Sequence, residues 1–357
     1  MITERRMKRK GKVLLGMSGG VDSSVSAYIL KKQGYEVMGC TMKLWFDENH
    51  NKYVSNIKDA KRVANTLDIP FHIFDMQDDF KKYVVNYFIS EYKTGRTPNP
   101  CVACNRYVKF EGLMDKAKEL DIAYIATGHY AVVEKENDRY ILKKAKDEGK
   151  DQTYFLYNLT QEQLSRTVFP LGSYKKTEIR DIAKQLGFKV ANKPDSQEVC
   201  FIENNNHFEF VNTYSDTPIQ KGEIIDINGN VLGIHDGISK YTIGQRRGLG
   251  VVTGKPMFVI DIDGESNRII LGSNNDLYKS ELIASNLNWV SIPSLKDTLD
   301  VDIKIRSTAK LAKGKIFPIE NNKVQVTFDK PQRAITKGQS AVFYKDNRVV
   351  GGGIIIK

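Results

Sequence analysis

The stretch that most constrains this chain is Gly16-Met17-Ser18-Gly19-Gly20-Val21-Asp22-Ser23-Ser24. Before it, Lys12 to Met17 carries Val13, Leu14 and Leu15 in one apolar run, as a strand buried on both faces does. After it, Asp22 to Gln33 sets Val25, Ile29 and Leu30 on one helical face, with Gly34 as the stop. Strand, glycine turn and helix in direct succession predict a parallel sheet covered by helices. Ligands of such sheets bind beyond the carboxyl ends of the strands.

The next segments keep that alternation. Strands are predicted at Tyr35 to Leu44, Phe71 to Phe74 and Ile122 to Thr127, and helices at Asn56 to Leu67 and near Phe110 to Leu120. The character changes after about residue 210. Asp226 to Leu232 holds an Asn-Gly hairpin signal, and Val259 to Gly264 leads into a second hairpin at Arg268 to Leu271. Short strands follow at Val301 to Ile305, Val324 to Phe328, Ala341 to Tyr344 and Gly353 to Ile356. The expected architecture is an α/β N-terminal domain with a parallel sheet over 1–210, a small β-rich central domain over 211–280 and a C-terminal β-barrel over 281–357.

The glycine loop points to phosphate. Gly19 and Gly20 can take positive φ and let an anion approach the backbone. The loop N–H groups and the helix N-terminus favour negative charge, and Ser18 and Ser23 can donate hydroxyls. Asp22, an acid among these donors, suits a loop that also holds Mg²⁺. No Gly-Lys-Ser/Thr follows, so this is not the Walker loop, nor is it Gly-x-Gly-x-x-Gly. The bland reading is a helix capped by Asp22 or Ser23 after a glycine turn.

Charge and cysteines narrow the class. The 357 residues carry 54 Lys and Arg against 43 Asp and Glu, a formal +11, which favours polyanionic partners. Four cysteines cannot staple a chain this long, so a reducing cytoplasm is expected. No apolar run is long enough to span a bilayer, and Met1 to Lys10 does not read as a signal peptide. Cys40, at a strand end, reads as a small buried hydrophobe. Cys101 and Cys104 lie in Thr97-Pro98-Asn99-Pro100-Cys101-Val102-Ala103-Cys104-Asn105, read as an exposed, ordered loop. A Cys-x-x-Cys pair serves zinc or redox chemistry, and no second pair completes a four-ligand site. Cys200 follows in Asp195-Ser196-Gln197-Glu198-Val199-Cys200-Phe201-Ile202.

Ser18 to Ser23 resembles the PP-loop of ATP pyrophosphatases, which split ATP into AMP and pyrophosphate. The match closes with Thr97 to Asn105 and Val108-Lys109-Phe110, Ala126 to Tyr130, Lys150 to Leu156, Lys193 to Ile202, Tyr241 to Gly250 and Gly338 to Tyr344. Together these resemble the tRNA-specific 2-thiouridylases, the MnmA family, over essentially the whole chain. The resemblance implies that Gly16, Met17, Ser18, Gly19, Gly20, Val21, Asp22 and Ser23 bind ATP, with Met42 and Gly128 nearby. It implies adenylation of the C2 oxygen of the wobble uridine in tRNAs for Lys, Glu and Gln. Cys200 would then carry a persulfide sulfur from a relay protein or cysteine desulfurase. Cys104 would act as partner thiol, closing a transient Cys104–Cys200 disulfide. Asn99 and Pro100 are expected at the flipped base, and Cys101, His129, Lys150, Asp151, Gln152, Arg306, Ser307, Thr308 and Gln339 at tRNA.

Two positions depart from the family pattern. Cys101 stands where an acid is common, so Cys101, Cys104 and Cys200 could instead ligate a [4Fe–4S] cluster. Arg306 is followed by Ser307 and Thr308 where the family tends to Tyr-Arg, so Arg306 or Lys310 is expected to make that tRNA contact. The rival readings are a PP-loop synthetase acting on a small molecule and an RNA-binding protein with a structural metal on the three cysteines.

Overall fold

The structure, a computed structural model, describes residues 10–45, 51–195, 199–202, 206–252 and 254–357, and only the backbone of 51–53. The basic start before Lys10 and Ser196, Gln197 and Glu198 lie outside the described residues. The chain divides into two compact units, residues 1–83, 102–197 and 347–349, and residues 84–101, 198–346 and 350–357.

The first unit is built on a parallel sheet. Its strands are β1 (Lys12–Gly16), β2 (Glu36–Lys43), β3 (Phe71–Asp75) and β4 (Tyr124–Thr127). A hairpin of β5 (Val132–Glu136) and β6 (Arg139–Lys143) comes next, and then the two-residue β7 (Thr167–Val168). The sheet order is β3-β2-β1-β4-β7. β1 is central because Val13, Leu14 and Leu15 have no polar face to show, and all three are fully buried. It pairs in parallel with β2, Gly16 opposite Cys40, and with β4, Gly16 opposite Thr127. The chain therefore leaves β1 at the point where the strand order reverses, the switch point of an open α/β sheet.

Helix α1 (Val21–Lys32) starts there and buries Val25, Ile29 and Leu30 against Val13, Leu15, Ile179 and Ala183. The helix expected at Asn56 to Leu67 forms as α2 (Asn51–Thr66), starting earlier and ending one residue sooner. The fourth strand starts two residues later than expected, after a turn in which Asp121 takes φ 52°. β7 has no counterpart among the expected strands, since two residues carry no period. One expectation is overturned in part: Thr97 to Asn99 form no helix or strand, but the cysteines do not lie on a loop. Pro100–Ala103 is a helical turn that runs on as a π-helix over Cys104–Phe110 and then as Glu111–Glu119. Pro100 opens it because a first helical position needs no N–H, and Cys104, Asn105, Val108 and Phe110 are buried.

In the second unit β8 (Gly222–Asp226) and β9 (Val231–His235) form the expected Asn-Gly hairpin. Gly229 takes φ 85°, and Asp226 Oδ1 accepts the N–H groups of Asn228 and Asn230. With β10 (Phe258–Asp263) and β11 (Arg268–Gly272) they make a sheet in the order β10-β11-β8-β9. The C-terminal strands are β12 (Tyr278–Trp289), β13 (Leu299–Lys304), β14 (Ala312–Ile319), β15 (Lys323–Arg333), β16 (Ser340–Lys345) and β17 (Arg348–Ile355). They run β12-β15-β14-β13-β16-β17, and β17 pairs back onto β12, so the barrel closes without a free edge. Its interior holds Leu282, Ile303, Ile316, Val326, Phe343 and Ile355.

Candidate active site

The loop after β1 is held open by its own backbone. Gly19 takes φ 71°, and a Cβ there would lie 2.2 Å from the Asn56 carbonyl oxygen. Gly20 is not left-handed as expected. It is extended at φ −97° and forms the N-cap of α1, with no side-chain cap hydrogen bond. Asp22 and Ser23 are thus not the caps, and the first turn keeps N–H groups that an anion can take. Ser23 Oγ accepts the Ser18 N–H at 3.2 Å, and the two hydroxyls lie 3.4 Å apart. Gly128, at the end of β4, packs on the start of α1, where a Cβ would meet Ser23 N at 2.8 Å. Met42 Cε lies 3.7 Å from the place of a Cβ on Gly16. Loop, Met42 and Gly128 therefore gather at one end of β1.

Asp22 sits in a charge cluster that no spacing in the sequence announces. The Lys176 ammonium, 9% exposed, donates to Asp22 Oδ1 at 2.8 Å and Oδ2 at 2.7 Å and reaches Asp195 Oδ1 at 2.8 Å. Tyr130 OH donates to Asp22 Oδ1 at 2.8 Å. Lys150 reaches Asp195 Oδ2 at 2.8 Å, and Arg180 reaches Oδ1 at 3.2 Å. Burial works to raise the Asp195 pKa, but Lys150 and Lys176 outweigh it and hold it at about 2. Burial, then the Asp22 charge, push the Tyr130 phenol well above its ordinary range, so it stays a donor. Lys193 fixes the loop from another side. Its ammonium donates to the Gly19 carbonyl at 3.1 Å and to Asn56 Oδ1 and Asp59 Oδ2, each at 2.8 Å. The residues missed from sequence are Lys176, Arg180, Asn56 and Asp59, while Tyr130, Lys193 and Asp195 stand in quoted motifs without an expected role; Lys176 stands 154 positions from Asp22.

The residues expected at tRNA divide into two kinds. Lys150 is 38% exposed and can reach outward. Asp151 is spent locally, its oxygens accepting the Ala145 N–H and the Thr153 hydroxyl. Gln152 Oε1 accepts the Tyr130 N–H, and the Gln152 N–H donates to the Tyr130 carbonyl, so it braces Tyr130. His129 shares a hydrogen bond with Thr127 Oγ1 at 2.8 Å and lies between Phe110 and Phe169. Burial of the ring, and secondarily Lys109, push its pKa down to about 3, so it is neutral at physiological pH. Asn105, next to Cys104, donates to the Phe155 carbonyl, while its buried Oδ1 has no hydrogen-bond partner among the described residues.

In the second unit Gln339 Nε2 donates to the carbonyls of Thr97 and Pro98, and Thr97 N–H donates to the Lys337 carbonyl. Gln339 thereby holds the backbone just before Asn99 and Pro100. Cys101 and Cys200 are exposed, whereas Cys104 and Cys40 are buried. Burial pushes the Cys40 thiol up, as a packing residue requires. Phe201, beside Cys200, is anchored edge-on to Phe88 and Phe210. Among the described residues no group of three or more His, Cys, Asp or Glu could hold a metal ion. Mg²⁺ needs less, one or two carboxylates beside substrate phosphates; both Asp22 oxygens accept from Lys176 in this structure.

At the β13–β14 turn a cavity of about 520 Å³ is lined by Arg306, Thr308, Lys310, Lys313, Lys330 and Arg333, among others, and Ser307 is not in its lining. Lys330 and Arg333 join this basic groove from β15, too far along the chain for spacing to reveal. The Tyr241 to Gly250 motif is a self-braced turn. Tyr241 OH donates to the Leu249 carbonyl, and Gln245 Oε1 accepts the Thr242 N–H.

A serine-lined glycine loop at the switch point of a parallel sheet, followed by two β domains, defines a HUP-type nucleotide protein with β extensions. Residues 11–204 match the tRNA methyl transferase HUP domain, 209–273 the tRNA methyl transferase PRC-barrel domain and 279–355 the Aminomethyltransferase beta-barrel domain. The chain belongs to the tRNA-specific 2-thiouridylase family. It is 53% identical over 355 residues to tRNA-specific 2-thiouridylase MnmA 2 of Clostridium botulinum (strain Okra / Type B1), covering 98% of this chain and 100% of that protein. The like-named protein of Clostridium tetani (strain Massachusetts / E88) is 53% identical over 353 residues, covering 97% of this chain and 99% of its own. tRNA-specific 2-thiouridylase MnmA of Clostridium perfringens (strain ATCC 13124) is 50% identical over 353 residues, covering 97% and 98%. A solved 4-thiouridine synthetase–RNA complex with bound ATP is a distant likeness, 20% identical with TM-score 0.36 over 54% of this chain and 45% of that one. No described helix is long and apolar enough to cross a membrane.

Proposed function

We infer that this chain converts the wobble uridine of tRNA to 2-thiouridine at the expense of ATP. The observation that carries the reading is identity above 50% to named thiouridylases across nearly the whole chain. Oxide is a very poor leaving group from C2, so the oxygen is first made into an adenylate. The C2 oxygen attacks the α-phosphorus of ATP and pyrophosphate leaves. Gly16 to Ser23 hold the phosphates through N–H groups and hydroxyls, with Met42 and Gly128 beside the nucleotide. Mg²⁺ entering with ATP would take phosphate oxygens and Asp22, and it would neutralise charge at the leaving group.

Sulfur then arrives as a persulfide on Cys200, whose exposure admits a donor protein such as a sulfur relay or a cysteine desulfurase. The terminal sulfur attacks C2, and Cys104 attacks the Cys200 sulfur. The C2 sulfur is left as the thiocarbonyl, AMP departs, and a Cys104–Cys200 disulfide forms. The persulfide sulfur gains the two electrons that the two thiols lose, so a thiol reductant must reopen the disulfide before the next turnover. Asn99 and Pro100 take the flipped base, on a backbone that Gln339 holds in place. Lys150 and the groove of Arg306, Thr308, Lys310 and Lys313 contact tRNA phosphates. Asp151, Gln152 and His129 complete the tRNA contacts that the family motifs imply. The segments 1–210, 211–280 and 281–357 would serve as catalytic, central and tRNA-contacting domains of a cytoplasmic enzyme.

Mass spectrometry of unmodified tRNA incubated with enzyme, ATP, Mg²⁺ and sulfide tests the reading. The expected result is one oxygen-to-sulfur exchange on the wobble uridine, with pyrophosphate release that requires tRNA. With a persulfide donor, Cys104→Ser and Cys200→Ser lose thiolation and Cys101→Ser keeps a substantial part of it. Pyrophosphate release without tRNA would return the chain to the small-molecule synthetases. Loss of RNA binding on chelation, with no ATP turnover, would favour the structural-metal reading.

A further inference from the structure

Lys176 divides its ammonium between two carboxylates. An ammonium has three N–H donors; the closest contacts put two on Asp22 and one on Asp195. Asp195 is in turn shared with Lys150, which is more than a third exposed, and with Arg180. Tyr130 OH also donates to Asp22, and the backbone N–H of Lys176 donates to Asp147 Oδ2 at 2.8 Å. The exposed Lys150 and the phosphate loop are thus joined by alternating charges with no uncharged link.

We propose that Lys150, Asp195 and Lys176 form an electrostatic relay by which bound tRNA prepares Asp22 for the nucleotide. The inference rests on the assignment of Lys150 as a tRNA contact. When a tRNA phosphate takes the Lys150 ammonium, Asp195 loses one of its three cations. The shortfall draws Lys176 toward Asp195 and away from Asp22. Asp22 then has oxygen lone pairs for the Mg²⁺ of Mg-ATP instead of for a lysine. Without tRNA, Lys176 occupies Asp22 and competes with the metal. Asp195 and Lys176 are positioning residues, since neither need touch a reacting atom.

Linkage makes the relay reciprocal: the factor by which tRNA tightens nucleotide binding equals the factor by which nucleotide tightens tRNA binding. The experiment measures the Kd of Mg²⁺ with a non-hydrolysable ATP analogue, by calorimetry, with and without saturating unmodified tRNA. Wild-type enzyme is expected to show tightening by tRNA of about fivefold or more, the usual range of coupling between sites. Asp195→Asn removes the middle charge but no tRNA contact. It is expected to bring the tightening below about twofold while binding tRNA no more weakly in the absence of nucleotide, and Asp195→Glu to restore it. Lys176→Met is expected to bind Mg²⁺-nucleotide equally well with and without tRNA. Undiminished coupling in Asp195→Asn, or no coupling in the wild type, overturns the relay. Lys150→Gln, read by its tRNA affinity in the absence of nucleotide, separates this from the functional reading. Unchanged tRNA affinity in that variant removes Lys150 as a contact and the relay with it, whereas weakened affinity with coupling intact in Asp195→Asn leaves the contact standing and sinks only the relay.

Discussion

Replacing Gly128 by alanine tests whether the phosphate loop depends on the close approach of β4 to α1. The added Cβ would lie 2.8 Å from Ser23 N and 3.1 Å from Asp22 C and Ser23 Cα, all backbone atoms, where ordinary contact begins near 3.4 Å. No side chain can rotate out of the way, so the start of α1 must retreat by roughly 0.6 Å, a shift of the size that matters to reacting groups. The rest of α1 resists, because Val25, Ile29 and Leu30 are packed into the core of the first unit. Overpacking of this kind costs about 1–3 kcal/mol. The same retreat carries the leading N–H groups and Ser23 Oγ away from the phosphates. A misplacement of about 1 Å can cost a hundredfold, so kcat/KM for ATP should fall by about ten- to a hundredfold. Steady-state pyrophosphate release in the presence of saturating tRNA measures it, with near-ultraviolet circular dichroism to establish folding. tRNA affinity should stay within about twofold, since the change lies at the nucleotide side of the sheet. A folded Gly128→Ala enzyme with wild-type kcat/KM would refute the reasoning.

Two further outcomes follow from the charges. Alanine at Arg306, Lys310 and Lys313 together should weaken tRNA binding and flatten its salt dependence by about 0.7–0.9 for each phosphate left unneutralised, read from log Kd against log salt; an unchanged slope places the tRNA surface elsewhere. His129 should stay neutral throughout the physiological range, because burial lowers its folded pKa to about 3. The unfolded chain takes up that proton near the ordinary value of about 6.5, so the stability His129 contributes is complete above that pH and declines as pH falls toward 3. An imidazole resonance of His129 that titrates near neutrality would contradict this.

What is legible in the sequence is what short-range pattern encodes. Val13 to Leu15 and the helical spacing of Val25, Ile29 and Leu30 place the central strand, the loop and α1, and Asn228-Gly229 places a hairpin. The long motifs carry the family resemblance on their own. The cysteine segment reads as a loop because Pro98, Asn99 and Pro100 carry turn chemistry, while what makes it helical is the burial of Cys104, Asn105, Val108 and Phe110 against distant elements. The cluster around Asp22 is illegible for a related reason: a lysine, two aspartates and a tyrosine have no period, and only tertiary structure brings them together. Gln339 stands out through the family motif, but its hydrogen bonds to Thr97 and Pro98 link residues more than 240 positions apart.

An acid inside a loop built for anions is the feature that most needs a reason. As a stabilising device the Asp22–Lys176–Asp195 row is poor, because desolvating such charges consumes most of what their attraction returns, and well-packed apolar side chains of similar volume would do as well. Nor does the loop need Asp22 to start its helix, since Gly20 occupies the N-cap and no side chain caps it. Removing Asp22 would instead make the site more positive and, on charge alone, a better trap for phosphate. Retaining it serves the Mg²⁺ that enters with ATP, and it also lets the site withhold that affinity and release it on demand. A carboxylate that a buried lysine can cover, and a second carboxylate that can draw the lysine away, supply that property. An enzyme that splits ATP usefully only when an RNA substrate is present needs such a restraint, and Lys176 is the residue placed to apply it.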